Sequence, residues 1–343
     1  MNFSVCRKWG PTVLKPDKPF VHQHSAHCES GVMARLLSHY GLEISEAMVF
    51  GISGALMFAY IPFVKLGGMP MIAYRRLPQA IIKGIQKNLG VKMRRETFSR
   101  PDLGTAALDN LLAQGQIVGL QSSVFWLPYF PDDMRFHFNA HNLIVYGKAG
   151  DEYLISDPVF ENPVLSSVGD LEKARFVKGM LAPKGLLYYP EAIPETIDFT
   201  AVVPAVIKKT ARAMLKTPVP VAGIRAIYAL AKTIGRLQNK ERRYARLFLG
   251  HIVRMQEEIG TGGAGFRFIY AAFLQESGIL LGENKLKEGS VMMTEVGDQW
   301  REFALMIAKS IRRKKGQEID FLALRKKLET IAAAETQVYR KLL

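Results

Sequence analysis

The chain has 343 residues, 48% hydrophobic and 22% charged, which is enough for two domains with a sizeable core and unlike a disordered or fibrous protein. Two cysteines, Cys6 and Cys28, rule out a disulfide framework, and the opening MNFSVCRKWG lacks the apolar run of a signal peptide, so a reducing cytoplasm is expected. The net charge of +15 is lopsided: residues 1–200 hold 20 Lys/Arg against 18 Asp/Glu and residues 201–343 hold 26 against 13, a balance that suits an acidic partner.

A His-rich loop, HQHSAH, leads into the first helical pattern. From Cys28 to Tyr40 the apolar Val32, Met33, Leu36, Leu37 and Tyr40 recur at three- and four-residue steps, and Gly41 closes the helix. Residues 47–64 form an uncharged stretch of 18, at the threshold for a membrane span. Gly51, Gly54, Pro62 and the broken sequel LGGMPMIAYRRLP favour buried or substrate-facing structure, with membrane contact as the second reading. The aromatic and Met-rich run 56–74 reads first as core and second as the lining of an acyl channel. Helices follow at 77–90 and 106–115, and extended runs at IVGLQSSVFW, HNLIVYG and EYLISDP. A proline-spaced boundary at 183–204 ends the strand signals. Beyond it helices are expected at 205–216, 222–237, 241–259, 266–281, 291–315 and 318–341. The expected organisation is therefore an α+β domain over 1–190 and a basic all-α domain over 200–343.

Cys28 is the candidate nucleophile, because it enters the first turn of a helix, where the dipole and unpaired N–H groups favour thiolate and can hold an oxyanion. The competing reading is a small buried hydrophobe, as free cysteines usually are, and Cys6 has no comparable setting. A thiolate needs a base and a group to orient that base. If 141–147 and 152–158 pair as a hairpin symmetric about Ala149, His141 faces Asp157, Leu143 faces Ile155 and Val145 faces Tyr153. One register then satisfies both the apolar and the polar pairs.

Together these residues resemble a known family. HCESGVMARLLSHYGLEISEAMVFGISGAL, VFWLPYF, AHNLIVYG and DEYLISDP, spanning about residues 20–160, are similar to the N-terminal domain of the butirosin biosynthesis protein H (BtrH) family. That domain in turn resembles the papain-like fold of double-glycine peptidases. GGAGFRFIYAAFLQESG and DQWREFALMIAKSI are similar to the helical domain that follows in the family. The resemblance implies Cys28 as nucleophile, His141 as general base and acid, and Asp157 as the orienting carboxylate. It also implies Gln23 as oxyanion donor, although Gln23 lies five residues before the cysteine where the peptidases place a glutamine six before. The implied reaction is amide formation in a biosynthetic pathway. An acyl group leaves the phosphopantetheine thiol of an acyl carrier protein, waits on the cysteine and passes to a small-molecule amine. No bound cofactor is implied, the phosphopantetheine being the partner's. The basic half suits an acidic carrier first and an anionic membrane or lipid surface second. A cysteine peptidase or amidase and a non-catalytic carrier- or lipid-binding scaffold are the alternatives.

Other signals are weaker. His22, His24 and His27 spell H-x-H-x-x-H, but Ala26 stands where the related zinc motif needs Asp, so no metal is expected. GTGGAG at 260–265 fits G-x-G-x-x-G but follows a helix instead of a strand, and reads as an interhelical loop. GISGA misses the nucleophile elbow at Ala55. Arg312, Arg313, Lys314 and Lys315 read as a basic helix end. No zinc-finger spacing, basic zipper or aromatic-basic signature points to nucleic acid.

Overall fold

The computed structural model describes residues 18–312 and 318–343, so Cys6 and the Arg313, Lys314 and Lys315 of the basic run lie outside the described residues. Contacts divide the chain into two units: Met1–Val49 with Pro78–Phe199, and Phe50–Leu77 with Thr200–Leu343. In chain order the elements begin with α1 (Cys28–His39) and α2 (Glu46–Ser53), followed by the hairpin β1 (Leu56–Leu66) and β2 (Met69–Arg75). The uncharged stretch 47–64 is thus all but the first residue of a short helix and most of a strand. Among the described residues no helix is long and apolar enough to cross a membrane.

The first unit continues with α3 (Ala80–Leu89), β3 (Lys92–Glu96), α4 (Pro101–Ala113), β4 (Val118–Ser122), β5 (His141–Ala149), β6 (Glu152–Ser156), β7 (Val164–Ser167), α5 (Val168–Phe176) and β8 (Leu187–Ala192). Its six strands form one antiparallel sheet in the order β3-β8-β4-β5-β6-β7. Strand alternation divides the side chains between two faces. Val118, Leu120, Leu143, Val145, Ile155 and Leu187 point to one face, where they pack with Leu108 of α4 and Leu171 and Ala174 of α5. Each such side chain contributes about 1.5–3 kcal/mol on burial. The opposite face, carrying Gly119, Asn142 and Tyr188, receives α1. The sheet and helices of this unit, with the thiol at a helix start, make up the expected α+β, papain-like architecture.

The β5–β6 hairpin corrects the expected register. Its turn is a tight pair, Gly150 and Asp151, with Ala149 opposite Glu152, and Gly150 takes φ +60° at the first central position. Lys148 then faces Tyr153 and Gly147 faces Leu154, but Val145 faces Ile155, so Tyr146 is an extra residue bulged out of the ladder. Past the bulge Ile144 faces Ser156, which aligns Asp157 with Leu143 instead of His141. His141 and Asp157 are consequently diagonal neighbours on one face. The bulge matters for that face: without it the two-residue turn would align Asp157 with Ile144, and the carboxylate would emerge on the α1 side.

The second unit joins the β1–β2 hairpin to α6 (Phe199–Lys216), α7 (Gly223–Arg236), α8 (Arg242–Val253), α9 (Arg267–Leu280), α10 (Asn284–Ile311) and α11 (Phe321–Leu342). Its core contains an ion pair with no exposed surface. Arg267 Nε donates to Glu335 Oε1 at 2.9 Å, and Trp300 Nε1 donates to the same oxygen at 2.6 Å. Tyr339 Oη donates to Oε2 at 3.2 Å, and Arg267 also donates to the Gly265 carbonyl at 2.7 Å. The hexad 260–265 is the connection into α9, and a Cβ at Gly265 would lie 2.1 Å from the Tyr74 ring.

Candidate active site

The loop before α1 is built to hold a helix start. His27 is the N-cap in extended conformation, and its Nδ1 accepts from the Ser30 amide at 3.3 Å. The Ser30 hydroxyl donates to Glu46 Oε1 at 2.9 Å. Glu46 also accepts from the His27 amide at 2.8 Å and the Ala26 amide at 2.9 Å. Burial pushes the Glu46 carboxyl up, against these hydrogen bonds. Further back, the Ser25 amide donates to the Pro158 carbonyl at 2.7 Å. His22 Nε2 donates to the Phe160 carbonyl at 3.1 Å, so its Nδ1 accepts from Ser156 Oγ at 2.7 Å. The segment preceding Cys28 is therefore sewn to the end of β6, next to Asp157.

The structure brings Cys28, His141 and Asp157 together, all buried. His141 Nε2 meets Asp157 Oδ2 at 2.6 Å, and the same ring hydrogen-bonds Cys28, for which Nδ1 is the nitrogen left. Asp157 is fixed from two further sides, by Tyr129 Oη donating to Oδ2 at 2.9 Å and the Val159 amide donating to Oδ1 at 3.2 Å. The Phe130 ring stands edge-on to His141 at 5.4 Å. Burial opposes charge on His141, but the Asp157 carboxylate, its hydrogen bond and Cys28 outweigh it and push the imidazole up to about 10. The site thus holds a sulfur beside an imidazole that favours its charged form.

A second network reaches the sulfur from the other side. Asn142 Nδ2 lies 3.9 Å from Cys28 Sγ and donates to the Ala140 carbonyl at 3.1 Å, while its Oδ1 accepts from Tyr188 Oη at 2.8 Å. Burial holds the Tyr188 phenol well above its ordinary value, so it stays a donor. Gly119 makes room for that ring, since a Cβ there would fall 2.5 Å from Tyr188 Cε2.

Gln23 does not join this group. It is exposed, with its Oε1 held by Arg35 Nη1, whereas the trio is buried. His22 and His27 are each engaged by their own partners, and among the described residues no three His, Cys, Asp or Glu side chains cluster to hold a metal. Reading the sequence alone missed Glu46, Tyr129, Asn142 and Tyr188. Two signals were present: Gly119 inside an apolar strand marks a close approach, and Asn142 is a second polar residue in an otherwise apolar run.

Comparison with known proteins bears out the family resemblance. The family model for butirosin biosynthesis protein H, N-terminal, matches residues 27–158, and that for a domain of unknown function (DUF4872) matches residues 169–342. No curated protein matches the chain. Among solved structures, a candidate C39-like peptidase from Bacillus anthracis is similar over 53% of this chain and 98% of its own, at 15% identity and a TM-score of 0.36.

Proposed function

The chain belongs to the family that joins a butirosin biosynthesis protein H N-terminal segment to DUF4872, and from that premise we propose that it is a cysteine-dependent acyltransferase. The acyl group comes from the phosphopantetheine thioester of an acidic acyl carrier protein and goes to an amine. The observation that carries the reading is the buried relay itself, with His141 on the sulfur of the cysteine that begins α1 and 2.6 Å from a doubly anchored Asp157.

In the first step Cys28 Sγ bonds to the thioester carbon while the charged His141 holds the proton. The carbon–sulfur bond to pantetheine then breaks, and the leaving thiolate takes the proton from the imidazolium. In the second step the amine bonds to the acyl carbon, His141 accepts an amine proton, and the bond to Cys28 breaks with the proton held on His141. One thioester and one amine give one thiol and one amide. Asp157 keeps the ring oriented throughout and stabilises its charge.

Charge supports the acidic carrier as donor. The second unit holds 29 Lys/Arg against 13 Asp/Glu, and the first 17 against 18, so the whole excess lies in one unit. Within it, residues 199–253 carry 11 Lys/Arg and a single acid, Glu241. Lys208, Lys209, Arg212, Arg225, Lys232 and Arg236 are exposed there. Such a field accelerates encounter with an acidic surface and weakens with salt.

The test is to mix the purified protein with acyl-loaded carrier and record intact mass. An acyl adduct that is absent in Cys28→Ala and is discharged by added amines supports the proposal. Discharge by water alone would make the enzyme a hydrolase, and absence of any adduct would leave a binding role.

A further inference from the structure

We infer that Asn142 is the side-chain donor of the oxyanion hole, paired with the Cys28 backbone N–H and held in place by Tyr188. The inference rests on the acyl-transfer reading and assigns a role to a residue of the same site.

The amide's orientation is fixed by its neighbours. The Ala140 carbonyl can only accept, so the atom 3.1 Å from it is the nitrogen, and the Tyr188 hydroxyl donates to the oxygen at 2.8 Å. That arrangement turns the NH₂ group, 3.9 Å from Sγ, toward the sulfur. When a carbonyl carbon bonds to sulfur its oxygen sits one carbon away. A donor at this remove falls within the range of about 2.7–3.1 Å that an oxyanion donor needs. The second donor comes from the helix. Cys28 is the first residue of α1, where an N–H has no carbonyl partner within the helix. Asn142 and Tyr188 are buried, so their hydrogen bonds act in a dry setting and require little rearrangement during the reaction. The exposed Gln23, engaged by Arg35, is not the donor here.

Two reagents separate this role from all others. Iodoacetamide alkylates the sulfur by displacement and forms no oxyanion, whereas p-nitrophenyl acetate acylates it through a tetrahedral intermediate. In Asn142→Ala the iodoacetamide rate should stay within about threefold of wild type while acylation falls about 10²- to 10³-fold, the usual loss of one such donor. Tyr188→Phe, which only frees the amide to turn, should show the same split at about tenfold. Equal losses with both reagents would mean that Asn142 acts on the thiol or on the fold, and no loss would mean that it does neither; each result overturns the inference. A wild-type protein acylated by the ester but never by carrier thioester would refute the transferase reading, leaving Asn142 to be judged on the ester rates. A wild type alkylated but acylated by neither would refute both.

Discussion

Replacing Asp157 by Asn probes the relay without emptying it. The Val159 amide donates to Oδ1, so the oxygen of an asparagine must stay there and its NH₂ must occupy the Oδ2 position. That NH₂ can donate to both Tyr129 Oη and His141 Nε2, so every contact survives and the fold should persist. The imidazole, however, is forced to accept at Nε2 and therefore carries its proton on Nδ1, facing the sulfur. What disappears is one charge-assisted hydrogen bond of 2.6 Å, worth about 1.5–3 kcal/mol. At about 1.4 kcal/mol per factor of ten, the reactive pair is depleted about 10- to 100-fold. The assay is the rate of iodoacetamide alkylation of Cys28 at pH 7, read by intact mass, with a thermal melt to check folding. A folded D157N protein alkylated at the wild-type rate would show that the carboxylate does not govern the sulfur.

Other outcomes follow from the same geometry. Because the folded protein raises the His141 pKa to about 10, its charge stabilises the fold fully below about pH 6.5 and progressively less as pH rises toward 10. The difference in melting temperature between wild type and His141→Asn should therefore shrink over that window, and a constant difference would contradict the pairing. Reversing Lys208, Lys209 and Arg212 to Glu should slow acylation by an acidic carrier about tenfold at low salt and leave a small thioester unaffected; loss of both would mean damage to the fold. Gly119→Ala should cost about 1–3 kcal/mol, measured by urea unfolding, because its Cβ would overlap the Tyr188 ring. Glu335→Ala strands the buried Arg267 and should cost about 3–5 kcal/mol, whereas a loss under 1 kcal/mol would show that the cluster relaxes or admits water.

The sequence exposed the site through residue chemistry and hid it where atoms had to be counted. Cys28 at a helix start and the His141 and Asp157 flanking a hairpin were legible from capping and alternation. The register was not. Symmetry about Ala149 assigned the pair to one face correctly but overlooked the compact Gly150–Asp151 turn and the bulge at Tyr146. Gln23 was read by its distance from the cysteine along the chain, and the reading had no means of registering that Arg35 would hold it at the surface. The grouping of residues 50–77 with the C-terminal helices was equally invisible, because apolar runs announce burial without naming what covers them.

The bulge makes the relay a matter of odd and even. Between Val145 and Ile155 lie nine residues, an odd count, whereas a turn of two central residues encloses an even count at every rung, and Tyr146 is the remainder. Drawing Tyr146 into the ladder would throw the carboxylate to the wrong side, whereas deleting Tyr146 leaves eight residues, an even count, and should keep Asp157 on the face of His141 with the bulge gone.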